Sequence, residues 1–170
     1  MPWEFDQNHR NIGFSARHLG ISTVHGFFEK ADVTVNLDSD DPTQWSMSAV
    51  VDANSINTGI PRRDDALRGE SYFETDKFPE IRFETTRIER QGDGYCIVGS
   101  LTMHGVTKEV ELEAAFGGEA VDREILKRGF TAQGTIDRFA FGIGDPDHRE
   151  KTWTVSDEVK LLLDMEALKK

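Results

Sequence analysis

Residues 95–116, YCIVGSLTMHGVTKEVELEAAF, form two alternating runs separated by His104-Gly105. In the first run Tyr95, Ile97, Leu101 and Met103 share one face, with Gly99 between them. In the second, Val106, Val110, Leu112, Ala114 and Phe116 share a face opposed by Glu109, Glu111 and Glu113. A side-chain period of two marks a strand with one dry and one wet face. The short His-Gly break is a hairpin signal. The stretch therefore predicts two antiparallel strands that turn their apolar sides to one interior and their glutamates to water.

The same pattern extends in both directions. Segments 12–16 (Ile12, Phe14, Ala16), 33–37 (Val33, Val35, Leu37) and 45–53 (Trp45, Met47, Ala49, Val51, Ala53) each carry one apolar face. So do 81–85 (Ile81, Phe83), 130–136 (Phe130, Ala132, Ile136) and 159–165 (Val159, Leu161, Leu163, Met165). Turn residues separate several of them, at Asp38 to Pro42, Gly92-Asp93-Gly94 and Gly117-Gly118. This makes eight strands, and long strands with one dry face must close into a barrel or stack as a sandwich. Gly99 and Gly134 on the inner face suit the strong bending of a barrel. Residues 61–76 break the alternation. Pro61, with Asp64 and Asp65 near a helix start and Arg68 near its end, predicts a short helix over about 62–69 followed by a turn. A second irregular stretch spans 138–153, and the adjacent Asp137 and Arg138 are expected to form an ion pair at a strand end. The prediction is an all-β chain forming one domain over 1–170.

Composition narrows the function. The 170 residues carry a net charge of −11, spread along the chain, which repels phosphate backbones and argues against nucleic-acid binding. The lone Cys96 makes no internal disulfide, and its place in a strand suggests a small apolar side chain. No apolar run approaches the roughly 18–20 residues of a spanning helix. The opening MPWEFDQNHRN has no signal-peptide pattern, so the cytoplasm is the expected location. No Gly-x-Ser-x-Gly elbow, Walker loop or dinucleotide glycine motif is present, and no cofactor is expected. A zinc site needs three or four converging ligands. His18 and His25 flank one turn without an obvious third ligand, so no metal is expected.

WEFDQNHRNIGFSARHLGISTVHGFFEK resembles the opening of the YceI-like proteins, a family of polyisoprenoid- and lipid-binding domains. The resemblance rests on Trp3 to Asp6, His9, Phe14, His18-Leu19-Gly20 and Gly26-Phe27-Phe28. VDANSINTG, RRDDALRGESYFETDKFPEIRFETT, VGSLTMHGVTKEVELE and GFTAQGTIDRFAFGI are similar to later family signatures, in order. It implies an eight-stranded antiparallel lipocalin-like barrel that holds an isoprenoid, quinone or fatty-acid-like lipid, with a role in transport, storage or stress response. It also admits a homodimer, and many members are periplasmic, unlike the expectation from this chain's start.

On this reading the protein is a binding protein and not an enzyme. The interior candidates are Phe14, Val35, Met47, Val51, Phe83, Leu101, Leu112, Phe130, Ile136 and Leu163. The same residues equally describe an ordinary filled core. Head-group candidates are Arg62, Arg63 and Arg68 with Tyr72 and Phe73, since an arginine fork suits phosphate. Arg62 and Arg63 are alternatively surface partners of Asp64, Asp65 or Glu70. Two competitors stand beside the lipid reading: a metal-assisted hydrolase built on His9, His18, His25 and His104, and a filled barrel whose surface binds another protein.

Overall fold

The computed structural model describes residues 2–170. Ten strands are formed: β1 (Trp3–His18), β2 (Ser22–Phe28), β3 (Ala31–Asn36), β4 (Ser46–Asp52), β5 (Ile56–Asn57), β6 (Glu80–Gln91), β7 (Gly94–Met103), β8 (Val106–Asp122), β9 (Ile125–Asp137) and β10 (Val155–Lys169). They make one antiparallel sheet in the order β3-β4-β6-β7-β8-β9-β10-β1-β2-β5, curled around the core. The all-β, lipocalin-like architecture agrees with the alternating pattern. The count rises from eight to ten because β2 and β5 carry little of that pattern. In β2 only Gly26 and Phe28 are buried, and β5 is two residues long.

The β7–β8 hairpin is built as its sequence requires. Its turn residues His104 and Gly105 both have positive φ, 54° and 72°, matching the right-handed twist of the strands. On β8 Val110, Leu112 and Ala114 are buried while Glu109, Glu111 and Glu113 are exposed. The inner-face glycines make room for neighbours. A Cβ on Gly99 would lie 2.4 Å from the Phe83 ring and 2.7 Å from the Glu84 carbonyl oxygen. One on Gly134 would lie 2.7 Å from Leu112 and 2.8 Å from the Glu111 carbonyl oxygen.

The main-chain ladder does not run the full circumference, since β3 and β5 lie at the two ends of the sheet. Side chains of β1 reach across the gap to β3 and to the end of β2 and the turn between them. Gln7 Nε2 donates to the Ala31 carbonyl at 3.2 Å, and the Arg10 guanidinium donates to the carbonyls of Phe28 and Glu29. The register of β1 against β10 shifts between Phe5 and Arg10, so this half of β1 is irregular.

Each end of the curled sheet is covered differently. The helix α1 (Pro61–Leu67) and the turns over 68–77 cap one end, where Phe73 meets Phe28 edge-on at 5.9 Å. At the other end tilted aromatic rings pack in a layer: Trp45 and Phe116 at 4.6 Å, Tyr95 and Phe116 at 4.5 Å. The buried Arg128 guanidinium lies over both Trp3 (4.8 Å) and Trp45 (5.0 Å). It is held by the Leu37 carbonyl and by Glu119 at 2.6 Å.

The expected Asp137–Arg138 ion pair is not formed. Asp137 caps the following 3-10 turn by accepting from the Phe139 N–H at 2.9 Å. Arg138 is buried and donates to the carbonyls of Ser156, Ile143, Thr152 and Val155 and to the Thr152 hydroxyl. Burial pushes its pKa down, because a desolvated cation is disfavoured. Among the described residues no helix is long and apolar enough to cross a membrane.

Candidate functional site

Side chains on β1, β2, β3, β4, β6, β7, β8 and β10 converge on an internal cavity of about 100 Å³. Phe14, Met47, Val51, Phe83, Leu101, Leu112 and Leu163 from the sequence set all border it, joined by Val33, Ile81, Leu161 and Met165 among others. No bordering residue has a polar side chain. A smaller void of about 20 Å³ lies farther along the axis, and there Val35 and Phe130 are found. Ile136 borders neither void. It packs in the core against residues that include Phe28, Met103 and Phe141, because β9 presents its C-terminal end where the 3-10 turn fills the space.

A wider pocket of about 440 Å³ opens at the end covered by α1. It is bordered by Phe14, Ala16, Arg17 and His18 of β1, Ser22 to Val24 of β2, Arg63, Ala66, Leu67, Tyr72 and the start of β10. Arg17 and Arg63 are its cations, and no carboxylate borders it, although the chain as a whole carries −11. Arg17 donates to Thr23 Oγ1 at 2.8 Å, and Arg63 to the hydroxyl and carbonyl of Thr58, both at 2.7 Å. Among the described residues neither arginine forms an ion pair, and a carboxylate reaches Arg63 only through the Thr58 hydroxyl, which donates to Asp64 at 2.5 Å.

Only Arg63 and Tyr72 of the five head-group candidates are brought to the mouth. Arg62 stands exposed on α1. Arg68 points back to the chain entering the helix, donating to the carbonyls of Asn54 and Ile56 and pairing with Asp65. Phe73 is committed to Phe28 in the core. Arg17, beside His18, lies outside the five head-group candidates yet borders the mouth. Its signal is a basic pair at the end of a long strand, which becomes informative only once α1 is seen to face it.

The four histidines of the hydrolase alternative do not gather. His18 is at the mouth and His25 is exposed on β2. His104 sits in the β7–β8 turn beside the Phe78 ring, 3.4 Å from Glu74. His9 faces Asp6 at 2.9 Å and Glu166 at 3.8 Å on the irregular half of β1. These three, Asp6, His9 and Glu166, are the one cluster among the described residues whose ligand atoms lie within 4.8 Å of one another. Burial alone would push the Asp6 carboxyl up, but hydrogen bonds from His9 and the Asn8 N–H outweigh it and hold the pKa below the ordinary value. Burial, reinforced by Glu111 and Glu89, pushes the Cys96 thiol up, so it is a poor nucleophile.

A curled antiparallel sheet around a dry interior, open at a cationic mouth and closed by an aromatic floor, defines a lipocalin-like β-barrel. The chain belongs to the YceI-like family, whose YceI-like domain matches residues 3–167. A UPF0312 protein of Yersinia pestis is 35% identical over 161 residues, covering 94% of this chain and 81% of that protein. A UPF0312 protein of Photorhabdus laumondii is 33% identical over 162 residues, covering 95% and 82%. Among solved structures, a Campylobacter jejuni YCEI protein superposes with a TM-score of 0.79 at 27% identity, covering 91% of this chain and 90% of that one. A polyisoprenoid binding domain from Saccharophagus degradans shares the fold at a TM-score of 0.67 and 15% identity, covering 98% of each chain.

Proposed function

We propose that this protein binds the apolar chain of an amphipathic lipid, of isoprenoid type, inside the barrel and holds an anionic head group at the mouth. It acts as a carrier or store, without chemistry on its ligand. The observation that carries this reading is the cavity bordered by apolar side chains alone. Each methylene removed from water contributes about 0.8 kcal/mol, so a prenyl chain supplies ample driving force. Support for the anionic head comes from Arg17 and Arg63 at a mouth without carboxylates. The fold is compatible with such a ligand, since the Saccharophagus degradans domain that shares it is described as polyisoprenoid binding.

The cavity is small for this task. At about 100 Å³ it is below the roughly 150 Å³ of an engineered benzene-binding cavity. Uptake therefore requires lining side chains to swing aside, and Phe14, Met47, Phe83 and Leu163 are half-buried rather than locked.

Two measurements test the reading. Organic extraction and mass spectrometry of the purified protein should recover an apolar ligand. Titration should show geranylgeranyl phosphate bound more tightly than geranylgeraniol, with Arg17→Gln weakening the phosphate about tenfold and sparing the alcohol. Recovery of no lipid together with no binding of either compound overturns it.

A further inference from the structure

We propose that Met47 sets the length of chain this barrel accepts, an inference that rests on the lipid reading above. The interior is divided into compartments in series. The mouth pocket and the cavity share one bordering residue, Phe14. The cavity and the inner void also share one, Met47. Phe14 is thus the threshold, and Met47 the partition between a shorter and a longer site.

The axial order follows from the strands. On β7, Leu101 borders the cavity and Ile97 the inner void; four residues of strand separate them by about 13 Å. On β6 the same step runs from Phe83 to Thr85 and Ile88. Met47 lies between, on β4, opposite Val35 of β3. Its backbone is anchored, the N–H donating to Thr85 Oγ1 at 3.2 Å. Its side chain is half-buried, unbranched and polarizable, with three rotatable bonds, and so can change rotamer at low cost. A β-branched or aromatic residue there would be a fixed wall.

Beyond Met47 the surroundings stay mostly apolar. Val35, Leu37, Ile88, Ile97, Phe116 and Phe130 border the inner void. Trp45, packed at a tilt against Phe116, also borders the void, and the bonded Arg128 behind it closes the axis. The inner void, about 20 Å³, is smaller than an isoprene unit, so a tail pushed past Met47 enters only as the apolar side chains around it move apart, and it stops at a layer whose cation is already satisfied by Glu119. A short chain ends against the Met47 side chain, whereas a longer one must displace it.

The test compares geranyl phosphate with geranylgeranyl phosphate on the wild type, Met47→Ala and Met47→Phe, following binding by displacement of a fluorescent apolar probe. Met47→Ala should raise affinity for the longer chain about tenfold relative to the shorter. Met47→Phe should lose the longer chain and keep the shorter. With methyl-labelled methionine in the wild type, the Met47 methyl signal should move with geranylgeranyl phosphate and much less with geranyl phosphate. Equal changes for both chains in both variants, or an unmoved Met47 methyl with the longer chain bound, overturn the partition while leaving the lipid reading intact. Failure of every variant and the wild type to bind either chain refutes the lipid reading and the partition with it.

Discussion

Leu101→Trp separates an open interior from a filled one. Leu101 is 6% exposed, lies opposite Phe83 in the β6–β7 ladder, and borders the cavity. In a filled core an enlarged side chain typically costs 1–3 kcal/mol through forced rotamers and backbone shifts. Here the added ring has somewhere to go. A cavity of 100 Å³ weakens a fold by about 2.4 kcal/mol, using roughly 24 cal/mol per Å³, and filling it recovers part of that. The two effects are of similar size and opposite sign, so stability should stay within about 1 kcal/mol of the wild type. Uptake of geranylgeranyl phosphate should be abolished, because the indole occupies the path between Phe14 and Met47. Urea unfolding with an unchanged slope gives the first quantity, and probe displacement gives the second. A loss of about 3 kcal/mol or more would show the space was already filled. Unchanged uptake would remove Leu101 from the path. Either result refutes the reasoning.

Two further outcomes probe the frame of the site. Arg138→Met removes the guanidinium donor from the Ile143 and Val155 carbonyls beneath the mouth, while the Thr152 carbonyl keeps its bond from the Val155 N–H, and should destabilise the protein by about 3 kcal/mol in urea unfolding; a change below about 1 kcal/mol would show that water replaces the guanidinium. For Asp6 the folded-state pKa lies below its ordinary value of 3.8, so its stabilising contribution is present above that pH and is lost as the pH falls through the lower, folded-state value. Asp6→Asn should therefore be less stable than the wild type at neutral pH and lose less stability on acidification below about pH 4; parallel pH profiles would contradict the role of the His9 and Asn8 hydrogen bonds.

Much of the architecture was legible locally. Period-two alternation marked eight of the ten strands and the side of each that faces inward, because successive residues on a strand point to opposite faces. The strands it missed are those in which other forces act. β2 is held by pairing with β1 through a run that includes His25 and Gly26, and β5 is a two-residue addition to β2. The ordered family signatures from Trp3 to Ile143 carried the fold class at once, since they report a whole topology and not one element.

Alternation by itself determined which residues face inward, and composition determined that the interior is apolar and the exterior acidic. Depth and openness were decided only by the tertiary structure. Leu112 and Ile136 read alike in sequence and both are buried, yet Leu112 borders the cavity and Ile136 borders neither void. Arg17 and Arg63 lie far apart in the chain and meet at one mouth, while Arg68, on the same helical segment as Arg63, turns away to bond the backbone. A period of two fixes the face of a side chain but not its position along the barrel axis. That position is set by the curl of the sheet, the register shifts in β1, β6 and β8, and the packing of α1 across one end. These are contacts between segments remote in sequence, so the division of the interior by Phe14 and Met47 exists only in the folded chain.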